Sequence, residues 1–572
     1  MTQAIRVAIA AMLGLLVLAV PVAGAKDGPN DKAKDNAQTT EVQILALNDF
    51  HGNLEPPSGS SGRIGATNAG GVEYLATHVR ALRATNPNTL FVSAGDLIGA
   101  SPLISALFHD EPTIEAFNLM DLDYNGVGNH EFDEGVDELL RMQNGGCHPV
   151  DGCQDGDPFT GATFGFLAAN VKYRSSGETI FPPYAIHKFK GGIKVAIVGM
   201  TLEGTPSIVS AGGIASVDFF DEAETVNALV PVLKRQRVET IVVLLHEGGT
   251  IGSPLNEQTI NTCVNPGGPL PPIVDAMDDE IDVVVTGHTN WAVNCVIDGK
   301  IVTGAAAFGR LVTDIDLTIS RATKDVVSAK VNNTIVTRTV APAADLTALV
   351  SKYRTLSAPI ANRVIGSITA DITTTTNAAG ESAIGDVIAD AQLAATDDAT
   401  NGQSVVAFMN PGGIRASLLF AGSTAGEGNG NVTYGEAFAV QPFGNSLVTL
   451  TLTGAQLETM LEQQFLGCGQ TGASNRILQV SDGFTYTWNA AGGNCAKIDP
   501  ATIAIDGVVV SPMVNYRVTV NSFLADGGDD FPVLRLGTNR LGGVVDLDAL
   551  VAYFESSSPV APGPQNRITR VG

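Results

Sequence analysis

The first half of the chain alternates between short, continuous apolar runs and longer segments with apolar residues at helical spacing. The short runs predict buried β-strands, and the longer segments predict amphipathic helices. Five of the predicted strands cover residues 44–47, 91–93, 124–127, 241–245 and 283–285. The helical patterns cover residues 72–84, 112–120, 133–142 and 222–237. Strands that alternate with helices are typical of a layered α/β domain.

Each of these five strands runs into an acid, an imidazole or an amide. In an open α/β sheet, ligands bind beyond the carboxyl ends of the strands, so the five endings can converge on one site. A pair of divalent metal ions about 3.5–4 Å apart needs several protein donors, including a carboxylate that can bridge them. The strand ends supply seven donors, namely Asp49, His51, Asp96, Asn129, His246, His288 and Asn290. We therefore predict a site for two divalent metal ions.

The donor types limit the metal without identifying it. A mixture of oxygen and nitrogen ligands without a thiolate suits Zn, Mn, Fe or Co. Taken singly, an Asp or Asn after a strand is most often a turn former or a helix cap. However, all eight histidines lie before residue 289, and four of them lie in the strand-end motifs. The other four, His78, His109, His148 and His187, are expected to be structural or exposed, and no carboxylate lies at metal-ligand spacing from His109 or His187.

The motifs around the predicted donors resemble those of the calcineurin-like metallophosphoesterases, and specifically the 5'-nucleotidase family. They follow that family's order along the chain: Asp49-Phe50-His51-Gly52, Gly95-Asp96, Gly128-Asn129-His130-Glu131-Phe132-Asp133, His246-Glu247 and Gly287-His288-Thr289-Asn290. The resemblance covers about residues 41 to 556. It implies an α/β protein with an N-terminal metallophosphoesterase β-sandwich flanked by helices and a second α/β domain for substrate recognition.

The resemblance implies phosphate removal from nucleotides by a 5'-nucleotidase. In such a reaction the expelled oxygen must be stabilised or protonated, and His130 is the predicted residue for this task. Asp133 follows three residues later, in the first turn of a predicted helix, and is predicted to hold the imidazole; a plain helix N-terminal acid is the alternative. A 2',3'-cyclic-nucleotide phosphodiesterase or a UDP-sugar hydrolase remains possible within the family. A non-catalytic module that binds nucleosides or glycans is disfavoured by the complete donor set.

Three loop motifs mark the second half of the chain. They are Asn410-Pro411-Gly412-Gly413-Ile414-Arg415, which follows a predicted strand at residues 405–409, Gln441-Pro442-Phe443-Gly444-Asn445, and the segment from Phe523 to Asp529. Two aromatic rings on loops can sandwich a base, which is worth about 1–3 kcal/mol per base. Burial of both rings in the core is the alternative interpretation.

The loop motifs also resemble the C-terminal domain of 5'-nucleotidases. The resemblance implies that Phe443 and Phe523 stack the base and that Asp529 accepts hydrogen bonds from the ribose. It implies that Asn410 and Arg415 contact the sugar and the phosphate, and Gly413 and Asn445 complete the predicted substrate-binding set. One position departs from the family, because Gly380 stands where an arginine is common. This departure removes one expected phosphate-binding cation.

The chain is predicted to divide into five parts. Arg6, the apolar run 7–20 and Ala23-Gly24-Ala25 predict a signal peptide over residues 1–25, followed by a flexible leader over 26–40. The metallophosphoesterase domain is expected at 41–340 and the nucleotide-recognition domain at 364–572. Residues 341–363 are expected to link them, with a helix at 343–353 and a Pro-containing connector at 357–362. No second long apolar segment follows, so no membrane anchor is expected.

Composition narrows the partners and the location. The formal net charge of −26 over 572 residues argues against a nucleic acid polymer or an anionic membrane surface as partner. A small nucleotide is compatible with this charge, because bound metals dominate the local field. Six cysteines in an exported chain fit three disulfides, and their clustering favours Cys147–Cys153, Cys263–Cys295 and Cys468–Cys495 among 15 possible pairings. We expect a secreted or periplasmic protein, whose oligomeric state the sequence leaves open.

Overall fold

The computed structural model describes residues 19–20, 39–57, 59–209, 212–423, 425–470 and 474–572. Most of the predicted signal peptide and leader therefore lies outside the described residues. Within those segments the structure places strand backbone at Ala19–Val20, which pairs with residues 329–330, and at Thr39–Thr40. The first long strand thus begins inside the predicted leader. No helix among the described residues is long and apolar enough to cross a bilayer.

The N-terminal half contains seventeen strands and seven helices within the described residues. The strands are β1 (Ala19–Val20), β2 (Thr39–Leu47), β3 (Arg63–Ile64), β4 (Thr67–Asn68), β5 (Thr89–Ser93), β6 (Tyr124–Gly126), β7 (Gly165–Leu167), β8 (Val171–Tyr173), β9 (Tyr184–Lys188), β10 (Lys194–Thr201), β11 (Val217–Phe219), β12 (Thr240–His246), β13 (Val283–Thr286), β14 (Ala292–Ile297), β15 (Lys300–Ala305), β16 (Leu311–Ser320) and β17 (Val326–Ile335). The helices are α1 (Val72–Arg83), α2 (Leu103–Ala106), α3 (Glu111–Leu119), α4 (Val136–Asn144), α5 (Glu222–Arg235), α6 (Leu270–Ala276) and α7 (Ala344–Ala361).

Two mixed sheets form a sandwich in this half. One sheet has the strand order β1-β17-β16-β2-β5-β6-β7, and the other has β14-β15-β13-β12-β10-β9. Apolar side chains from both sheets, such as Ile44, Val92, Val195 and Val242, form a common buried core between them. Further cores lie between the first sheet and helices α1, α3, α4 and α7, and between the second sheet and α5 and α6. The predicted β-sandwich flanked by helices is confirmed.

Parallel pairing decides where the strand ends lie. Strands β2, β5, β6 and β7 run parallel to one another, as do β10, β12, β13 and β15 in the facing sheet. Parallel neighbours present their carboxyl ends at the same edge of a sheet. The polar residues that follow these strands are therefore brought to one end of the sandwich.

Two helix boundaries differ from the predictions. Helix α4 begins at Val136 instead of at Asp133, because Gly135 adopts a φ of 90° and separates the helix from a 3₁₀ turn at His130–Phe132. Helix α7 continues to Ala361 and includes Pro359, so the predicted connector at 357–362 is wrong. Pro359 removes one N–H donor from the helix and lies two residues before the helix ends at Ala361.

The C-terminal half is a second α/β unit. Its strands are β18 (Val364–Ser367), β19 (Val406–Met409), β20 (Asn431–Thr433), β21 (Ser446–Thr453), β22 (Gln479–Val480), β23 (Phe484–Gly493), β24 (Ala496–Ile498), β25 (Ala504–Ile505), β26 (Val508–Val509), β27 (Asn515–Asn521), β28 (Thr538–Val545) and β29 (Ile568–Val571). Its helices are α8 (Ala383–Ala394), α9 (Tyr434–Val440), α10 (Gly454–Glu462), α11 (Ser522–Ala525) and α12 (Asp546–Ser557). The main sheet has the order β22-β19-β27-β21-β28, with one apolar core on each face.

Helix α7 joins the two units, and disulfides brace each of them internally. Helix α7 contacts α1, α2 and α3 of the first half and α9 of the second half. The three disulfides join Cys147 to Cys153, Cys263 to Cys295 and Cys468 to Cys495, as predicted. Each bond lies within one half of the chain. The residue boundaries of the two predicted domains remain a prediction.

Candidate active site

The predicted metal ligands lie together at the carboxyl ends of the parallel strands. Five of the seven have positive φ angles, namely Asp49 (50°), His51 (48°), Asp96 (52°), His288 (68°) and Asn290 (60°). This left-handed backbone is uncommon for residues other than glycine, and strained conformations of this kind cluster at functional sites. Each side chain therefore leaves its strand end in a direction that ordinary strand geometry does not provide.

The side-chain donor atoms converge around Asp96. Its Oδ2 lies 3.0 Å from Nε2 of His246 and 3.8 Å from Nε2 of His51. The Oδ1 of Asn129 lies 3.1 Å from Nε2 of His246 and 2.9 Å from Nδ1 of His288. Two groups of potential ligand atoms, each within 4.8 Å of one another, result: His51, Asp96 and His130, and Asp96, His246 and His288. Asp96 belongs to both groups, which is the position of a bridging carboxylate.

The histidine tautomers fit bound cations. Nδ1 of His246 lies 2.7 Å from the carbonyl oxygen of Ala94, and Nδ1 of His51 lies 2.9 Å from that of Gly99. Because a carbonyl oxygen accepts and does not donate, Nδ1 carries the hydrogen in each neutral ring. The Nε2 lone pairs then face Asp96, where a divalent cation would satisfy both the rings and the carboxylate.

Burial and neighbouring charges shift the pKa values in the site in both directions, and burial lowers the pKa of His51 to about 3. Burial, together with the charge of Asp96, raises the pKa of Asp49 to about 7. Burial opposes protonation of His246, but Asp96, Asp49 and Glu131 outweigh it and raise the pKa of that imidazole to about 10. Protons on Asp49 and His246 therefore offset the negative charge of the buried carboxylates. Bound metal ions would displace these protons.

Glu131 is a supporting residue to which sequence reasoning assigned no role. Its buried carboxylate accepts backbone N–H bonds from Asp96 (2.9 Å), Leu97 (2.9 Å) and Gly128 (2.7 Å). It therefore joins the loops after β5 and β6 and holds Asp96 in place. Burial, reinforced by the charge of Asp96, raises its pKa to about 7. The sequence signal for this role was the position of Glu131, an acid that lies between the predicted ligand Asn129 and the buried Phe132.

Gly128 is required by the same loop contact. A Cβ atom at this position would lie 2.2 Å from Oδ1 of Asp96. The same Oδ1 accepts the backbone N–H of His130 at 2.9 Å. The glycine therefore lets the loop that carries Asn129 and His130 approach the central carboxylate.

His130 and Asp133 form the predicted pair. Nδ1 of His130 lies 2.7 Å from Oδ2 of Asp133. Burial disfavours the imidazolium, but the charges of Asp133 and Asp96 outweigh it and raise the pKa of His130. Asp133 lies between a 3₁₀ turn and helix α4, so the helix-start alternative for this acid is wrong. Because His130 also lies within reach of His51 and Asp96, the geometry is compatible with both a proton-donor role and a ligand role.

A cleft of about 410 Å³ joins the metal donors to the predicted substrate loops. From the N-terminal half it is lined by residues that include His51, Asp96, Asn129, His130, Asp133, His288 and Asn290. From the C-terminal half it is lined by residues that include Asn410, Gly413, Arg415, Phe443, Asn445, Phe523 and Asp529. Asp49 and His246 are fully buried behind this lining. The structure thus gathers all the predicted site residues around one cleft.

The predicted substrate residues differ in what their side chains already contact. Asn410 donates from Nδ2 to Oδ2 of Asp529 at 2.7 Å and accepts from Asn521 at 2.9 Å. Its amide therefore orients Asp529. Arg415 lies over the ring of Phe443, 5.7 Å from the centroid. Asn445 accepts from the hydroxyl of Ser522 at 3.2 Å.

The two predicted stacking rings line the cleft and are half-buried. Phe523 rests on the backbone of Gly528, where a Cβ would lie 2.5 Å from the ring. Gly413 is buried, and a Cβ there would lie 2.5 Å from the methyl carbon of Met409. The glycines therefore fix how closely these loops pack.

Sequence reasoning missed Arg476. This residue lines the cleft, and its Nη1 forms an ion pair with Oδ1 of Asp529. Burial lowers the pKa of His288 to about 3, and the charge of Arg476 contributes to this shift. At Gly380, where an arginine is common in the family, φ is 92° and a Cβ would lie 2.7 Å from Cγ1 of Ile477. A larger side chain therefore does not fit at position 380.

A second histidine cluster lies outside the cleft lining. Nδ1 of His109 lies 2.8 Å from Glu134 and Nε2 lies 3.0 Å from Asp151, while the ring stacks on His148 at 3.8 Å. The fold thus brings Glu134 and Asp151 to His109, and the expectation that no carboxylate lies at metal-ligand spacing from this histidine is wrong. Although burial opposes it, these acids raise the pKa of His109 to about 9. Two ion pairs therefore account for this imidazolium.

Known proteins resemble the chain along most of its length. Residues 42–291 match the family model for calcineurin-like phosphoesterases, and residues 364–535 match that for the C-terminal domain of 5'-nucleotidases. Endonuclease YhcR of Bacillus subtilis is 33% identical over 92% of this chain, but this chain spans 41% of that protein. The cell wall protein Lmo0130 of Listeria monocytogenes is 32% identical over 91% of this chain and 68% of its own length.

A solved structure shares the fold. The 5'-nucleotidase precursor from Thermus thermophilus superposes with a TM-score of 0.72 at 24% identity, covering 93% of this chain and 100% of that chain. Both family models, the extended similarity to Lmo0130 and the gathered donor set agree. The chain belongs to the 5'-nucleotidase family of calcineurin-like, metal-dependent phosphoesterases.

Proposed function

We propose that this chain is an exported enzyme that uses two divalent metal ions to remove the 5'-phosphate from nucleotides. One observation supports the proposal: a single cleft is lined by proposed metal donors and His130 and by Arg415, Phe443 and Phe523. A phosphate held at the donors would have its nucleoside directed toward the two rings. The metals are proposed to be Zn, Mn, Fe or Co, given oxygen and nitrogen donors without a thiolate.

The chain's own residues would complete the hydrolysis. When bound, the metal ions supply Lewis acidity for the phosphoryl oxygens and lower the pKa of water. In the overall reaction, a water oxygen bonds to phosphorus and the bond from phosphorus to the nucleoside oxygen breaks. His130 is proposed to give its proton to the leaving oxygen, while Asp133 at 2.7 Å orients the ring and stabilises its charged form.

The C-terminal half is proposed to recognise the nucleotide. Phe443 and Phe523 offer aromatic faces to the base, and stacking of this kind is worth about 1–3 kcal/mol. Asp529, oriented by Asn410, can accept from ribose hydroxyls with its remaining lone pairs. Arg415 brings a positive charge near His130 that suits the substrate phosphate.

The proposed domain division and location rest on separate observations. We propose domains at 41–340 and 364–572, joined at 341–363, where α7 contacts both halves. Three disulfides suit an oxidising compartment outside the cytosol, and the relative Lmo0130 is named a cell wall protein. These observations support a secreted or periplasmic enzyme.

A second candidate activity is cleavage of phosphodiesters. The relative YhcR is named an endonuclease, and it matches 92% of this chain. The net charge of −26 disfavours a polymeric nucleic acid but is compatible with small cyclic phosphodiesters or UDP-sugars.

A substrate panel tests both proposals. Phosphate release would be measured from nucleoside monophosphates, and product formation from a UDP-sugar, 2',3'-cyclic nucleotides and single-stranded DNA, with Zn, Mn, Fe or Co added in turn. Greatest kcat/KM on nucleoside 5'-monophosphates supports the first proposal. Faster turnover of cyclic nucleotides or DNA would replace it with a phosphodiesterase, and faster turnover of the UDP-sugar would replace it with a UDP-sugar hydrolase.

A further inference from the structure

Arg476 is a charged residue in the substrate cleft that lies outside the motifs by which the chain resembles its family. It lies in the segment between the disulfide cysteine Cys468 and strand β22, and its guanidinium lines the same cleft as His288 and Arg415. Its side chain keeps 36% of its surface exposed, whereas its partner Asp529 keeps 4%. The ion pair therefore leaves part of the Arg476 side chain, which lines the cleft, exposed.

The backbone around Arg476 holds the side chain at this place. The N–H of Arg476 donates to the carbonyl oxygen of Gln464 at 2.8 Å, and the next two residues, Ile477 and Leu478, are buried in the core. The side chain of Gln470 donates to the backbone carbonyl of Asp529 at 2.8 Å. The segment is thus fixed to the loop that carries Asp529, and the guanidinium approaches the cleft without needing a large rearrangement.

The two cleft arginines both approach the backbone of Gly412. Nη1 of Arg415 donates to the carbonyl oxygen of Gly412 at 3.4 Å, and Nη1 of Arg476 lies 3.6 Å from the position that a Cβ atom on Gly412 would take. A phosphate bound in this cleft would therefore lie near two guanidinium groups. Guanidinium groups match phosphate oxygens with several N–H donors in one plane, which makes them suited to this contact.

We propose that Arg476 is a second phosphate-binding residue, which contacts the anionic oxygens of the substrate together with Arg415. This inference rests on the proposed nucleotidase function. A purely structural role, in which Arg476 holds Asp529 for the ribose, predicts a different pattern of effects. Phosphate contact affects ligands that carry a phosphate, whereas support of Asp529 affects ligands that carry a ribose.

The test measures product inhibition of p-nitrophenyl phosphate hydrolysis in the whole protein loaded with metal. Inorganic phosphate and adenosine serve as the two inhibitors. For Arg476→Ala we expect the inhibition constant of phosphate to rise about ten- to hundredfold, as the loss of charge-assisted hydrogen bonds implies, while that of adenosine changes less than about twofold. Arg476→Lys, which keeps the charge, should recover part of the phosphate affinity.

Arg540→Ala is the control, because Arg540 forms an exposed ion pair with Asp526 (2.7 Å), on the loop that also carries Asp529, and does not line the cleft. Arg540→Ala should change neither the inhibition constant of phosphate nor that of adenosine. Thermal unfolding would show that each variant is folded. Equal weakening of phosphate and adenosine, or weakening of adenosine alone, would overturn the proposal in favour of support for Asp529. Unchanged constants would overturn it as well. If adenosine fails to inhibit the wild-type enzyme, the nucleotidase proposal fails while the phosphate measurement still tests Arg476.

Discussion

The imidazole of His130 stacks on the ring of Phe443, with centroids 5.8 Å apart and 17° between the planes. His130 follows strand β6 of the N-terminal half, and Phe443 lies on a loop of the C-terminal half. The guanidinium of Arg415 lies 5.7 Å from the centroid of the same phenyl ring. Phe443 thus contacts both the proposed proton donor His130 and the proposed phosphate-binding cation Arg415. The side chain is therefore in a position to affect both the chemical step and substrate binding.

The two stacking rings should therefore behave differently when removed. Phe523→Ala should lower kcat/KM for nucleotides roughly 5- to 150-fold, the equivalent of one stacked base, and leave p-nitrophenyl phosphate almost unchanged. Phe443→Ala should in addition lower kcat on both substrates, because His130 loses a packing partner. Steady-state kinetics on both substrates separates the two effects. Equal losses on both substrates for Phe523→Ala would mean that this ring serves the core by packing on Gly528.

Asp96 should be the ligand whose loss removes both metal ions. It belongs to both groups of potential ligand atoms, whereas His51 and His288 each belong to one. Elemental analysis of Asp96→Asn should find less than one metal ion per chain, and enzymatic activity should fall in parallel with the metal content. Asp282→Asn is a suitable control, since that carboxylate accepts the N–H of Ile241 at the opposite end of strand β12. An Asp96→Asn protein that keeps two ions would contradict the shared position.

His130→Ala should slow the chemical step without emptying the site. Removal of a general acid lowers kcat by roughly 10²–10⁴-fold, and the other donors still hold the metals. Asp133→Asn should cause a smaller loss, because the ring remains but loses its charged partner at 2.7 Å. Metal content and kcat measured on the same samples decide the role. Loss of metal in proportion to activity would identify His130 as a ligand.

Local patterns were sufficient to predict the strands and the donor set. The apolar runs before Asp49, Asp96 and His246 predicted the strand ends, and parallel pairing then explains why distant residues meet. The left-handed backbone at Asp49 or His288 was not predictable, because the surrounding packing imposes it. Neither was the role of Arg476, which depends on contacts with Asp529 across 53 residues. The proline in helix α7 misled the prediction, because tertiary packing outweighed a local helix-breaking signal.

Glu131→Gln should destabilise the protein more than an ordinary buried substitution. The wild-type carboxylate accepts three backbone N–H groups, and an amide nitrogen in place of one oxygen would face at least one donor. A buried donor left unsatisfied costs about 1–3 kcal/mol. Chemical denaturation measures the loss in the free energy of unfolding. Glu247→Gln is the control, because that buried carboxylate accepts the single N–H of Gly248.

Asp546 should make stability depend on pH. This acid begins helix α12, is almost fully buried, and accepts the N–H of Leu547 at 2.8 Å. Burial nevertheless raises its pKa from 3.8 to about 7. The unfolded chain releases this proton near pH 4, whereas the folded chain holds it to about pH 7. The contribution of this site to stability is therefore full below about pH 4 and is lost as pH rises to about 7, by about 1.4 kcal/mol per unit of pKa difference.

Asp546→Asn should remove this pH dependence, because an amide has no proton to lose and keeps an oxygen for the N–H of Leu547. The melting temperature of the variant should equal that of the wild type near pH 4.5 and exceed it at about pH 8. Asp548→Asn, which alters an exposed acid in the same helical turn, should leave the change in melting temperature between the two pH values as it is in the wild type.

Asp546 also donates its backbone N–H to the carbonyl oxygen of Asn445. An unchanged KM in Asp546→Asn would therefore show that the substrate loop has not moved. If the melting temperatures of wild type and Asp546→Asn differed by the same amount at every pH in this range, the carboxylate would be ionised in the folded protein. Solvent or neighbouring donors would then compensate for burial.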